Sequence, residues 1–440
     1  MIGTFVGKSI QKIEKLFKFG GTSFPGHMVL KIFPKYLKKI KYPENIIFIT
    51  GSCGKGSTTK LITEVLENAG ISVCTNKDGA NLLDGIATAI INDVKGKKIN
   101  KDAIVFEVDE RFLKIVTRYI KPKYLIINNI TRDQPPRQGD FDIIFKEILK
   151  GITPSTHLLV NGDDPILRKY SLIHEGKITY FGIEKSKYSY KGHDDIRDYN
   201  YCPDCHTKLE YNYYHYGSVG DYKCPKCDFK RENIKYSITN INYDNNEITI
   251  NNEYKINVSS YVLFNLYNII STFSICDLLK IDSKIICDTI SKDIINNKIY
   301  EEFTVNKRKY TILNCKAENN STYNLALLYA SMDKSPKTIV IGHREISRRY
   351  KHYDLSWLYD IYFELISKND KVICTGPNAL DFAVRMKYAG IKQENIIILD
   401  NLNNIKETIE NDTKGNIYAI LNFDYVVPFK DKIKEEKLWK

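Results

Sequence analysis

A chain of 440 residues is too long for one ordinary domain, and with 43% hydrophobic residues it is excluded from the disordered class. Its 65 basic and 53 acidic side chains leave a net charge of +12, which favours anionic partners such as nucleotides, nucleic acids or lipid headgroups without choosing among them. The most apolar stretch, residues 261–279, contains Asn265, Asn268 and Ser271 and so predicts a buried helix instead of a membrane span. The N-terminus lacks a compact apolar segment with a small-residue cleavage site, which points to a cytoplasmic protein.

Residues 1–44 read as a basic, helix-prone leader in which Ile10, Ile13 and Phe17 recur at helical spacing among Lys8, Lys12, Lys15 and Lys18. Such a helix either packs on the main domain, the preferred reading, or rests on a membrane surface. A turn-rich break is expected at 20–26. From Asn45 short apolar runs alternate with helical segments. Residues 45–49 read as a buried strand, and Leu61, Ile62, Val65, Leu66 and Ala69 as one face of the next helix. Further strands are expected at 103–108, 124–128 and 157–160, and in a second series at 338–341, 372–374 and 395–399. This alternation predicts an α/β fold with a mostly parallel sheet. The expected division is a central domain over 45–300, interrupted by a polar insertion at about 198–232, and a smaller α/β domain over 301–440.

The first chemical signal is Thr50-Gly51-Ser52-Cys53-Gly54-Lys55-Gly56-Ser57-Thr58-Thr59, set between a predicted strand and a predicted helix. Amide groups and the helix dipole can hold phosphate there, and the glycines allow close approach. Lys55 would neutralise β/γ oxygens, while Ser57 or Thr58 would complete a Mg²⁺ shell. A plain glycine turn before a helix is the competing reading. Glu107, at the end of the 103–108 strand, is the candidate second Mg²⁺ ligand; Asp109 and Glu110 fit the spacing nearly as well.

The second signal is Cys202-Pro203-Asp204-Cys205 followed by Cys224-Pro225-Lys226-Cys227. Two such knuckles supply four thiolates for a tetrahedral, structural Zn²⁺ site with no position left open for catalysis. A redox dithiol pair is the rival reading. The other six of the ten cysteines are scattered singly, as expected in a reduced compartment.

The short loop is similar to that of Mur ligases and folylpolyglutamate synthetases, its Lys-Gly-Ser ending being nearer the folate branch. The order of motifs resembles the MurT family, the Mur-ligase-type synthetase subunits of lipid II isoglutaminyl synthases. The carrying residues are Gly21-Thr22-Ser23-Phe24-Pro25-Gly26, residues 79–86, Arg132-Asp133-Gln134, the cysteine ribbon ending in Gly220-Asp221-Tyr222-Lys223-Cys224, Phe264-Asn265-Leu266-Tyr267-Asn268, and Asp354-Leu355-Ser356-Trp357 with Asp360, Phe363 and Glu364. Residues 342–350 are more basic than the family's approach to the last motif, residues 297–302 replace an expected Arg-bearing stretch, and residues 314–324 match the substrate-facing loop poorly.

The resemblance implies ATP-dependent amidation of the D-glutamate α-carboxylate of lipid II through an acyl phosphate, with Asn268 near the nucleotide. It also implies a heterodimer with a GatD-like glutaminase that supplies ammonia, Asp354 orienting the histidine of that partner. The implied cofactors are ATP, Mg²⁺ and structural Zn²⁺. The lipid-linked substrate places the chain at the inner membrane face, and no nucleic acid is expected. Read without the family, Asp354 or Ser356 is the N-cap of a helix running through Leu365. Two alternatives remain: another amide ligase of the same fold, adding glutamate to folate or an amino acid to a wall precursor, and a zinc-ribbon nucleic-acid binder that uses ATP as a switch.

Overall fold

The computed structural model describes residues 2–16, 22–76, 79–131, 140–187, 189–191, 199–258, 260–292, 300–316, 319–343 and 355–434. Asp354, Arg132-Asp133-Gln134, residues 297–299 and the basic run 344–350 lie outside the described residues. Two helices, α1 (Ile2–Leu16) and α2 (Phe24–Ile32), precede the first sheet. The expected break at 20–26 is in part the start of α2, because Pro25 occupies the first turn, where its missing N–H costs nothing.

The first sheet is built from β1 (Asn45–Thr50), β2 (Val73–Thr75), β3 (Ala103–Glu107), β4 (Tyr124–Ile127), β5 (His157–Asn161) and β6 (Ile178–Ile183). A separate hairpin, β7 (Glu210–Tyr216) and β8 (Val219–Lys223), follows; then β9 (Tyr236–Asn242), β10 (Glu247–Ile250) and β11 (Tyr254–Asn257) return to the sheet. Its order is β11-β10-β9-β6-β5-β4-β1-β3-β2, parallel except at the β9–β10–β11 edge. Strand β1 lies centrally, with β4 on one side and β3 on the other.

Alternate residues of β1 feed opposite cores. Ile47 and Ile49 pack with helices α3 (Lys55–Asn68) on one face, while Ile46 and Phe48 pack with α4 (Leu83–Asp93) on the other. Both faces are covered, so the strand reads as an unbroken apolar run. Of the predicted face of α3, Leu61, Ile62, Val65 and Leu66 are fully buried, while Ala69, the residue capping its end, is half-buried; α5 (Leu263–Leu278) lies in the same core. On the opposite face α2 crosses α4 closely: a Cβ on Gly26 would lie 1.9 Å from Asp84 O, and Gly26 N donates to Thr88 Oγ1 at 2.9 Å. The motif at 21–26 therefore meets the motif at 79–86.

The second sheet contains β12 (Tyr300–Val305), β13 (Arg308–Cys315), β14 (Thr338–Gly342), β15 (Lys371–Thr375), β16 (Ile396–Leu399) and β17 (Ile417–Asn422), in the order β12-β13-β17-β14-β15-β16. Only β12 runs antiparallel. Helices α6 (Asn320–Ser331) and α7 (Ala379–Tyr388) cover one face.

The expected helix through Leu365 is instead two 3₁₀ turns, Ser356–Asp360 and Phe363–Leu365. The side chain of Asn324 caps the break between them, accepting from Tyr362 N at 2.7 Å and donating to Asp360 O at 3.2 Å. Trp357 and Phe363 are thereby both turned inward, which one continuous helix would not achieve equally for residues six positions apart.

The β7–β8 hairpin is fastened through Asp163, which is fully buried just after β5. Its carboxylate accepts from Arg231 Nε at 2.7 Å, Tyr267 OH at 2.8 Å and Ile183 N at 2.8 Å, while its carbonyl accepts from Gly220 N at 2.8 Å. Replacing Asp163 with alanine strands the Arg231 guanidinium with only Glu184 as counter-charge, so a loss of about 3–5 kcal/mol of stability is expected. Urea unfolding measures it, and an unshifted midpoint would contradict the assignment.

Candidate active site

The phosphate-type loop leaves the carboxyl end of β1, where the connections of an open parallel sheet diverge and a crevice opens. Gly51 (φ +130°) and Gly54 (φ +83°) both adopt backbone conformations that side-chain-bearing residues rarely take. A Cβ at Gly54 would also lie 2.2 Å from Asn268 Oδ1. Asn129 clamps the loop: its Oδ1 accepts from Cys53 N at 2.8 Å, its Nδ2 donates to Cys53 O at 3.1 Å, and its carbonyl accepts from Ser52 N at 3.0 Å. Helix α3 starts at Lys55, so the amides of its first turn, which have no helical acceptor, face the loop.

Lys55 is nearly buried, its Nζ donating to Gly51 O at 2.6 Å and Glu110 Oε1 at 2.9 Å. Burial by itself would raise the Glu110 carboxyl, but the adjacent ammonium groups of Lys55 and Lys316 hold it below the usual range, so it stays ionised. Glu107, in contrast, lies beside the helix: its Oε2 is 3.1 Å from where a Cβ on Gly56 would be, and its Oε1 accepts from Asn81 Nδ2 at 2.9 Å. Asp109 accepts from Arg111 N at 3.0 Å and caps its own turn. The three acids that spacing left nearly equivalent thus sit in three different environments.

Thr58 is also committed. Its hydroxyl donates to Asn268 Oδ1 at 3.2 Å and accepts from Asn128 Nδ2 at 2.9 Å. Ser57 is half-buried one residue nearer the loop. The donor Asn268 Nδ2 is buried without a hydrogen-bond acceptor beside Gly54. An orphaned donor, a cradle that a Cβ would fill, and a helix N-terminus fit a phosphate chain.

The second sheet reaches this loop. Lys316 Nζ, just past β13, donates to Ser52 O at 2.8 Å, and Asn319 Nδ2 donates to Thr131 Oγ1 at 3.2 Å. Glu110 as the partner of Lys55, the Asn128–Asn129 pair and Lys316 were not singled out in these roles by the sequence. The Asn pair does stand at the end of the strand predicted over 124–128, Asn128 as its last residue and Asn129 just after it, which was the available signal.

In the 354–364 motif Trp357 packs 5.4 Å from the Tyr323 ring and 5.8 Å from that of His343. Burial pushes His343 down to about 4, so its imidazole is neutral at physiological pH. Arg385 Nη2 grips Glu364 at 3.0 and 3.1 Å and Ile361 O at 2.9 Å.

The four motif cysteines converge at the base of the β7–β8 hairpin. Their sulfurs all lie within 4.8 Å of one another, with Cys202–Cys227 and Cys205–Cys224 each at 3.4 Å, and none is in a disulfide. Four converging thiols at these separations suit a tetrahedral Zn²⁺.

Two family descriptions match the chain: "Mur ligase middle domain" over residues 49–208 and "MurT ligase C-terminal" over 317–425. The subunit MurT of the glutamine-hydrolysing lipid II isoglutaminyl synthase of Staphylococcus aureus (strain COL) is 28% identical over 97% of this chain and 96% of its own length. The counterpart from Streptococcus pneumoniae (strain ATCC BAA-255 / R6) is 27% identical over 99% and 97%. The chain thus matches a domain of the Mur ligases and one of the MurT ligases, and is similar to MurT subunits along nearly its whole length. Among solved structures, a pseudomurein peptide ligase type C from Methanothermus fervidus superposes with a TM-score of 0.68 at 19% identity, covering 92% of this chain and 80% of that one. The MurF ligase from Thermotoga maritima, solved in complex with ADP, gives 0.60 at 16% identity, covering 93% and 83%. These two establish the fold, as the sequence predicted. The likeness to MurT subunits rests on the end-to-end sequence match and the C-terminal domain.

In a loop of this geometry, Gly54→Ala adds a methyl group against Asn268 at a positive φ. ATP binding measured by calorimetry is expected to weaken by about tenfold or more while the fold persists. Unchanged affinity would remove Gly54 from the site.

Proposed function

We propose that this chain is the synthetase subunit of a lipid II isoglutaminyl synthase, amidating the D-glutamate α-carboxylate of the stem peptide to D-isoglutamine during peptidoglycan synthesis. The observation that carries this reading is the match to MurT subunits along 97% of the chain, with a phosphate loop placed at the switch point of the sheet.

The substrate carboxylate takes the γ-phosphoryl group of ATP, giving an acyl phosphate and ADP; ammonia then attacks the carbonyl, and phosphate leaves with the amide formed. The loop amides and Lys55 hold the phosphates, and Glu110 keeps the Lys55 ammonium aimed and charged. Asn268, beneath Gly54, is close enough to share in nucleotide binding. Gly51, Gly54 and Gly56 give the backbone its close approach. Ser57 and Glu107 would hold Mg²⁺, which supplies charge neutralisation when bound; Thr58 would serve the loop through Asn128 and Asn268. Lys316 ties the C-terminal domain to the loop. Cys202, Cys205, Cys224 and Cys227 would hold one structural Zn²⁺.

At neutral pH ammonia is mostly protonated, which favours delivery from a partner. The name borne by the relatives, glutamine-hydrolysing, supports a separate glutaminase subunit of the GatD type. In this reading Asp354 orients that partner's histidine, and the chain works at the inner membrane face, where its lipid-linked substrate lies. No helix among the described residues is long and apolar enough to cross a membrane.

Two measurements test the proposal. With the partner subunit, lipid II, Mg²⁺ and ATP, Asp354→Asn is expected to abolish glutamine-driven amidation and spare turnover with ammonium salt; equal loss of both would remove Asp354 from that role. Metal analysis of the purified chain is expected to find one zinc, lost in Cys202→Ser with a fall in Tm. Zinc-free protein of unchanged Tm would contradict a structural metal.

A further inference from the structure

Helix α1 packs with its apolar face outward. The side turned toward the domain carries small residues: Gly3, Thr4 and Gly7 are buried, a Cβ on Gly7 would lie 2.9 Å from Ile91, and one on Gly3 2.9 Å from Tyr36. Thr4 Oγ1 and Tyr36 OH share a hydrogen bond of 3.1 Å, and Lys8 Nζ donates to Val94 O at 3.0 Å. Packing through small residues brings the helix axis close and leaves the large side chains on the opposite side.

Those side chains form a stripe. Ile2, Phe5, Ile13 and Leu16 fall at i, i+3, i+11 and i+14, one face of a 3.6-residue period. They are 73%, 74%, 55% and 78% exposed. Helix α2, packed along α1, adds exposed Phe24 and Ile32. A soluble surface rarely gathers this many large apolar side chains without a use for them.

The charges beside the stripe select what covers it. The first 43 residues carry nine lysines and one acidic side chain, Glu14. Lys12 flanks the stripe, and Lys31, Lys35, Lys38 and Lys39 are exposed on α2 and the segment after it. A second copy of the chain would bring lysines against lysines, which disfavours self-pairing. An anionic bilayer offers both acyl chains for the stripe and headgroups for the lysines.

We propose that α1 lies in the interface of an anionic membrane, with Ile2, Phe5, Ile13 and Leu16 among the acyl chains and the neighbouring lysines on the headgroups. Docked this way, the chain meets a lipid-linked substrate by diffusion along a surface. The binding itself does not depend on the reaction proposed above.

The test is co-sedimentation of the full-length chain with vesicles of phosphatidylglycerol and phosphatidylcholine, and with phosphatidylcholine alone. Wild type is expected to bind the mixed vesicles, more weakly as salt is raised, and to bind phosphatidylcholine little. Phe5→Ser with Leu16→Ser, and separately Lys31→Glu with Lys35→Glu, should each weaken binding about tenfold or more. Absence of binding to the mixed vesicles, equal binding to both lipids, or insensitivity to either pair of substitutions would overturn the proposal. So would a wild-type dimer, seen by sedimentation velocity, that Phe5→Ser and Leu16→Ser dissolve without any vesicle binding. ATP binding in the same variants is expected to stay at the wild-type level, so failure of the vesicle assay and failure of the proposed reaction are read separately.

Discussion

The nearly buried ion pair between Lys55 and Glu110 organises the centre of this molecule. An ammonium group removed from water is costly unless its charge is met, and here a carboxylate at 2.9 Å and the Gly51 carbonyl at 2.6 Å meet it. The consequence is a cation held in place before any ligand arrives, at the mouth of a loop whose glycines leave room for phosphate oxygens. The arrangement needs β1 and β3 side by side, because Lys55 follows the first and Glu110 the second. It also needs Gly51 and Gly54 at positive φ, since the loop turns too tightly for ordinary residues.

Other parts of the chain are fastened to this centre. Helix α5 places Asn268 beneath Gly54, and Lys316 carries the second sheet to Ser52. The hairpin above the cysteine cluster joins the same apolar core through Tyr216 and Val219, alongside Leu325 and Leu328 of α6. Asp163 ties that hairpin to β6 and α5 at once. A metal site remote from the chemistry can thus stiffen the scaffold that holds the phosphate loop.

The α/β class and strands β1, β3, β4, β5, β14, β15 and β16 were legible because doubly covered parallel strands are continuous apolar runs, β1 being the clearest case; β2, β6, β12, β13 and β17 were not singled out, although β17 is such a run. Strands β9 to β11 were missed, since edge strands alternate Ile with Asn, Thr and Lys and read as loop. The phosphate loop and the cysteine quartet were legible as local patterns. What was not legible is pairing at a distance. Nothing in residues 107–110 says that Glu110 takes the lysine while Glu107 faces the helix, because that depends on how the chain bends after β3. Nor does the sequence around Asn324 show that its amide will break the expected helix at 360–362. The periodicity read at Ile10, Ile13 and Phe17 marked a helix but not the outward stripe, which shares only Ile13 with it; the burial of Gly3, Thr4 and Gly7 reveals which way α1 faces.

The central claim is that the loop around Lys55 makes a carboxylate reactive toward nitrogen. Its most direct test is mass spectrometry of the stem peptide after incubation of the purified chain with lipid II, ATP, Mg²⁺ and ammonium salt, with phosphate release followed in parallel. The account predicts conversion of one carboxylate to a carboxamide, one phosphate released for each amide, and loss of both in Lys55→Met. ATP hydrolysis that leaves the peptide unchanged, or amidation that survives Lys55→Met, would contradict it.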